Sequence, residues 1–160
     1  MTFNHFDSAG LAIMVDVSQK EPTMRTATAS AMVILTAEIV TNIVAGATAK
    51  GDVLSVARIA GIAAAKKTSD LIPLSHPLAI HHVSINFDVN AATGIIAATA
   101  TVRAFERTGV EMEAMTAAAV AALTIYDMCK GADKGITIGE IKLLRKEGGK
   151  SGVYQRETAL

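Results

Sequence analysis

Cysteine occurs once, at Cys129, tryptophan not at all, and proline three times in 160 residues. A lone cysteine cannot form an internal disulfide or supply a cysteine-based zinc site, so any metal would have to be held by His, Asp or Glu. An excess of either charge is missing too, since fifteen Lys and Arg balance fifteen Asp and Glu. Without net charge there is no long-range field to gather a polyanion, which excludes a general nucleic-acid coat. A chain that is 51% hydrophobic is also not a disordered one. The uncharged run Ala114–Tyr126 is thirteen residues long, short of the roughly 20 needed to cross a bilayer, and no basic-then-apolar leader opens the sequence. The expectation is a soluble, cytoplasmic protein that binds neither nucleic acid nor membrane.

Aromatic residues are scarce, at 4% of the chain, and alanine alone supplies 29 residues. The core must therefore come from Ala, Val, Ile, Leu and Met. Small side chains let backbones approach closely but bury little area each, so such a chain is expected to complete its core between copies, as a homo-oligomer. No repeat or linker interrupts it, and its length is that of one domain. That domain is expected to span 1–160, with flexible termini at about 1–10 and 148–160.

What is present is strong patterning. Ala27, Ala29, Ala31 and Val33 alternate with other residues, which predicts a strand with one small-residue face. Thr36 then precedes Ile39, Val40, Ile43 and Val44 at helical spacing, with Gly46 placed to end the helix. A second helix is predicted from about Asp52 to Thr68, apolar along Val53, Val56, Ala57, Ala60 and Ala64. Pro73 and Pro77 bracket a loop that should be stiff, because each ring fixes its own φ and restricts the residue before it. Alternating runs at 81–89 and 96–104, separated by Asn90–Gly94, predict a β-hairpin. Glu111–Lys130 is alanine-rich and helical, and a last strand is predicted over Ile136–Leu144. The order fits an α+β domain, a mainly antiparallel sheet with helices on one face, and a ferredoxin-like split βαβ arrangement.

Chemistry concentrates on the long helix. Glu113, Thr116, Val120, Thr124 and Asp127 form a stripe, and Asp127 and Lys130, at i and i+3, are neighbours able to relay a proton or clamp a phosphate; most such pairs are solvated surface ion pairs. Glu113 lies within about 40° of Asp127 around the axis yet roughly 21 Å along it. One modest ligand cannot touch both in one subunit. His76 sits in the stiff loop, either aimed at a ligand or capping a backbone carbonyl. His81 and His82 open a strand and point to opposite faces, so with His76 they make a poor metal cluster. Six basic residues stand against three acidic ones between 130 and 150, which suits a phosphate-bearing small molecule or an ordinary solvated face. Gly149-Lys150-Ser151 imitates the end of a P-loop, but Leu144 stands where that motif needs glycine, and too few residues follow for a helix. Cys129 reads as packing.

Seven stretches in order make the chain resemble the cyclic pyranopterin monophosphate synthase (MoaC) family over nearly its whole length. They include Lys50-Gly51-Asp52-Val53, Asp70-Leu71-Ile72-Pro73-Leu74-Ser75-His76-Pro77-Leu78, Gly109-Val110-Glu111-Met112-Glu113-Ala114, Ala121-Ala122-Leu123-Thr124-Ile125-Tyr126-Asp127-Met128-Cys129-Lys130 and Gly148-Gly149-Lys150-Ser151-Gly152. The resemblance implies a ferredoxin-like subunit assembled as a homohexamer, a trimer of dimers, with sites at subunit interfaces. It implies rearrangement of a cyclised dihydro-GTP to cyclic pyranopterin monophosphate with loss of pyrophosphate, with no metal site in the protein and Mg²⁺ at most escorting the pyrophosphate. Family functional residues then fall on Asp127 as the catalytic carboxylate with Lys130 beside it, and on Lys50, Lys66, Leu74, Ser75, His76, Met112, Glu113 and Lys146 as substrate contacts. The family often carries cysteine where Ser75 stands, which argues against a required thiol. Asp127 and Lys130 can move protons provided burial or neighbours tune them toward neutrality. The two alternatives are a non-catalytic oligomeric nucleotide-binding module and a His/Asp metal-dependent phosphohydrolase.

Overall fold

The computed structural model describes residues 5–48 and 50–157. In chain order the elements are β1 (Thr23–Ile34), α1 (Ala37–Val44), α2 (Val53–Ala65), α3 (Thr68–Leu71), β2 (Ile80–Asn90), β3 (Ile95–Glu106), α4 (Glu111–Cys129), β4 (Thr137–Glu147) and β5 (Tyr154–Gln155). The strands form one sheet in the order β2-β3-β1-β4-β5, with every neighbouring pair antiparallel. The fold is α+β, as the alternation of patterns predicts.

The small-residue face of β1 explains how the layers meet. Ala27, Ala29, Ala31 and Val33 stand opposite Val102, Ala100, Ala98 and Ile96 of β3, and none of these eight is more than 1% exposed. Ala114, Ala117, Ala118, Ala121, Ala122 and Ile125 of α4 are equally buried, and α4 packs on β1, β3, β4 and α2. With side chains this small on both surfaces, helix and sheet approach closely and dispersion contacts make up for the missing area. By length and apolarity α4 would qualify as a membrane span. Its buried alanines and Ile125 instead fill the centre of the domain, while Leu123 is exposed, and it carries Glu111, Glu113 and Asp127.

α2 crosses α4 at Gly61. A Cβ there would stand 2.7 Å from the Ala117 carbonyl oxygen and 2.3 Å from Ile85 Cδ1. The buried face of α2 is Val53, Ala57, Gly61, Ala64 and Ala65, whereas Val56 is exposed and Ala60 only half-buried. The predicted face is therefore turned, because the residue at its centre has no side chain to signal hydrophobicity. The helix also stops at Ala65, short of the expected Thr68. The Thr68 hydroxyl donates to the Ala65 carbonyl at 3.0 Å and the Lys67 N–H to the Ala64 carbonyl at 3.0 Å, which takes up the carbonyls a longer helix would use and starts the short α3.

β4 runs to Glu147, past the predicted Leu144, so Lys146 lies within the sheet opposite Ala27. Beyond it, residues read as the start of a tail form a glycine turn and the short β5 beside Arg145 and Lys146. Within β4, Glu140 and Ile141 together oppose Ala31, a bulge, and Glu140 has φ 42°. A left-handed non-glycine residue costs about 1–2 kcal/mol. Replacing the exposed Glu140 by glycine is expected to stabilise the domain by about 0.5–1 kcal/mol, read as a higher urea midpoint at unchanged slope.

Candidate active site

The residues singled out in the sequence fall into two groups at opposite ends of α4. At its C-terminal end, Lys130 Nζ lies 2.6 Å from Asp127 Oδ1, and Lys50, arriving from the loop before α2, donates from Nζ to the Asp127 backbone carbonyl at 2.9 Å. The Asp127 and Lys130 side chains are 62% and 51% exposed. The hydrogen bond and charge of Lys130, with Lys50 adding, hold the Asp127 carboxyl below its usual range, and Asp127 in turn pushes the Lys130 ammonium up. Tuning toward neutrality does not occur within one chain: this is an ionised, hydrated pair, left open to water by the described residues.

The opposite end of α4 is buried. Glu113 is 3% exposed, and removal from water, with the nearby charge of Glu111 adding, raises its carboxyl from the ordinary 4.5 to about 7. It forms part of the wall of two hollows. One of about 80 Å³ also meets Lys66 and His76, and one of about 370 Å³ meets Leu74, Ser75, His76 and Met112. The His76 ring Nε2 is 2.8 Å from the Val15 carbonyl oxygen. A carbonyl only accepts, so Nε2 carries a proton and donates it to Val15. The carbonyl-capping reading of His76 is thus met. Glu113, neutral when folded at moderate pH, is the group poised to exchange protons near neutrality.

This burial carries a stability signature. The folded carboxyl titrates above its unfolded value, so the native state holds the extra proton between pH 4.5 and 7. Stability is therefore greatest below the lower value, falls as pH rises between the two, and levels off above the higher. Glu113→Gln should abolish that slope and be more stable than wild type at pH 8 by an amount on the order of 3 kcal/mol, with little difference at pH 4.5; urea unfolding at the two pH values measures it.

Lys146 lies at the same end, its Nζ 3.2 Å from Glu111 Oε1 and 2.9 Å from Ser151 Oγ. It faces a cavity of about 700 Å³. Lys20, Arg25, Arg107 and Lys150 also line that cavity, against Glu21, Glu111 and Glu147. Lys20, Thr108, Gly109 and Glu111 are shared with the hollow beneath His76, so the two form one trough. Arg25, Lys20 and Arg107 escaped the sequence reading because they lie apart in the chain; the glycine pair at 148–149 was the available signal. Among the described residues no three His, Cys, Asp or Glu side chains converge to hold a metal ion. His81 Nδ1 accepts from the Phe105 N–H at 3.3 Å. Cys129 is buried and its thiol is pushed up by that burial, consistent with packing and not with a nucleophile.

The family model described as "MoaC family" matches residues 14–149, which include all ten residues of both groups. The chain belongs to the MoaC family. Among its relatives, a protein of Geobacter sulfurreducens is 73% identical over 157 residues, covering 98% of each chain. One of Desulfitobacterium hafniense is 52% identical over 160 residues, 100% of this chain and 98% of the other, and one of Geobacillus kaustophilus is 50% identical over 98% of each. All three are named cyclic pyranopterin monophosphate synthase. The resemblance expected from the seven stretches is thereby met.

Proposed function

We propose that the chain converts (8S)-3',8-cyclo-7,8-dihydroguanosine 5'-triphosphate to cyclic pyranopterin monophosphate and pyrophosphate in molybdenum-cofactor biosynthesis, as a cytoplasmic phosphorus–oxygen lyase. The observation that carries this reading is the basic trough of about 700 Å³ running into the hollow walled by His76 and Glu113, in a chain aligned end to end with relatives of that name. A triphosphate brings about four negative charges, and cations from separate segments can spread across it while a sugar hydroxyl attacks the first phosphorus and pyrophosphate departs. Lys146 serves that end, with Lys66, His76, Leu74, Ser75 and Met112 around the base and sugar. Glu113 exchanges a proton as the purine ring opens and the new ring closes.

Asp127, Lys130 and Lys50 complete the site from a neighbouring subunit. Three observations support this. Glu113 and Asp127 are fourteen residues apart on one helix, roughly 21 Å. The Asp127–Lys130 pair is bare in a single chain. The second face of the sheet is left partly open by the described residues, carrying the Thr28–Thr101 hydroxyl pair at 3.0 Å and the opposed, exposed Met24 and Phe105. A homohexamer, a trimer of dimers, is the assembly we propose, and the order β2-β3-β1-β4 supports a ferredoxin-like subunit. Desolvation at that contact would bring Asp127 and Lys130 into the range where they move protons. Mg²⁺ enters only with the pyrophosphate.

Supplying the cyclised dihydro-GTP tests the reading. Release of pyrophosphate together with an oxidisable, fluorescent pterin supports it, and survival of the reaction in chelator separates it from transition-metal hydrolysis. Tight binding without either product would leave a nucleotide-binding module.

A further inference from the structure

Gly149-Lys150-Ser151 is not a P-loop, yet its surroundings explain the glycine. The turn after β4 folds back onto β1, and a Cβ on Gly149 would stand 1.7 Å from Arg25 Nη1 and 2.6 Å from Arg25 Cζ. No backbone atom is among the three nearest obstacles; the space belongs to the guanidinium. Gly148 differs, since its Cβ would meet the Met24 carbonyl oxygen at 2.1 Å. Arg25 Nε donates to the Glu106 carbonyl at 3.1 Å and Nη2 to the Arg107 carbonyl at 3.3 Å. The head group is thus fixed against the end of β3 while lining the large basic cavity. Among the described residues no carboxylate lies within 4.0 Å of it, although Lys146 and Glu147 nearby are both paired.

We propose that Gly149 is a positioning residue: by having no side chain it leaves the volume that the Arg25 guanidinium occupies, and Arg25, so held, contacts the pyrophosphate portion of a nucleoside triphosphate. Arginine binds phosphate oxygens through a planar fork, so its orientation matters as much as its charge. Lys146, tied to Ser151 across the same turn, presents a second cation to the same group. The motif that imitates a phosphate loop therefore acts on phosphate by making room for an arginine. The identity of the anion rests on the proposed function; the coupling of Gly149 to Arg25 does not.

Inorganic pyrophosphate is the probe, its affinity measured by calorimetry on the assembled protein alongside KM and kcat. Gly149 and Gly152 share positive φ, 74° and 66°, but a Cβ on Gly152 meets nothing within 4 Å, so Gly152→Ala controls for backbone strain. Gly149→Ala should weaken pyrophosphate binding about tenfold or more and raise KM far more than it lowers kcat, while Gly152→Ala leaves both near wild type. Arg25→Gln should show the same loss, and Gly149→Ala added to Arg25→Gln should cost nothing further, because the glycine acts through the arginine. Additive losses, equal effects of the two alanine variants, or unchanged affinity in Arg25→Gln would overturn the proposal; the last decides even if Gly149→Ala fails to fold. Pyrophosphate affinities that shift as expected in a protein that does not turn over the cyclised nucleotide would overturn the proposed reaction and leave the Gly149–Arg25 coupling standing.

Discussion

Asp127→Asn is expected to bind the cyclised nucleotide and release pyrophosphate about 10²–10⁴-fold more slowly than wild type. Asparagine keeps the shape and the acceptor oxygen but can neither take up a proton nor hold the Lys130 ammonium by charge. Binding survives because the cations of the basic trough, Lys20, Arg25, Arg107, Lys146 and Lys150, are all kept in the variant. The pair is more than half exposed in one chain, where ion pairs of this kind contribute little to folding. The substitution therefore leaves the fold of the single chain intact, and a variant that sediments as the wild-type assembly does assigns the loss to catalysis. Single-turnover rates with saturating nucleotide measure the effect; near-normal turnover would remove Asp127 from the proposed mechanism.

Gly61→Val is expected to have the largest effect on stability. Two methyl groups would have to share the crossing where even one Cβ stands 2.7 Å from a carbonyl of α4. The obstacle is backbone, so no side-chain rotation relieves it, and Ala121 Cβ at 3.3 Å closes another direction. Overpacking at such a site costs about 3 kcal/mol or more, roughly 10 °C in Tm for a domain of this size. Gly61→Ala gains about 1 kcal/mol of helix propensity, which only partly offsets the clash, so it too should be destabilised. Gly139→Ala, where nothing lies within 4 Å, is the control. Thermal melts of the three variants order them; a stable Gly61→Val would show that α2 can move off α4 without cost.

The contrast between Gly61 and Ala27 shows which parts of the fold are legible in the chain itself. The one-sided alanines of β1 and the alternating runs of the hairpin announce themselves because a strand repeats every two residues and one face is buried. Helix starts are equally local: the Thr36 hydroxyl accepts from the Ile39 N–H at 3.3 Å and the Asp52 carboxylate from the Ser55 N–H at 3.0 Å. Gly61 depends on what crosses it, some sixty residues later in the chain. β5 is short and its register comes from β4, and the approach of Arg25 to Gly149 spans most of the sequence. These features are fixed by tertiary packing, which leaves no periodic trace.

The site divides the same way. The pairing of Asp127 with Lys130 follows from helix spacing, whereas Lys50 reaches Asp127 from another segment and His76 is held by the Val15 carbonyl, 61 residues away in the chain. The burial of Glu113 does not follow from its own segment: a carboxylate in the first turn of a helix ordinarily faces water. Here the Pro73–Pro77 loop and the start of β2 close over it, and its proton affinity rises because of that cover. The sequence offered Asp127 as the tuned group and the fold tunes Glu113. The separation of the two carboxylates was readable from helix geometry alone, and it is the ground for proposing that two subunits share each site.

Complementation between variants tests that division most directly. Asp127→Asn and Glu113→Gln subunits, each inactive alone, are co-expressed with different tags and the mixed oligomers isolated. If each site takes Asp127 from one subunit and Glu113 from its neighbour, random mixing restores about a quarter of wild-type activity, because every mixed dimer regains one intact site. Mixed oligomers that form and stay inactive would place both carboxylates in the same subunit's site and contradict the shared arrangement.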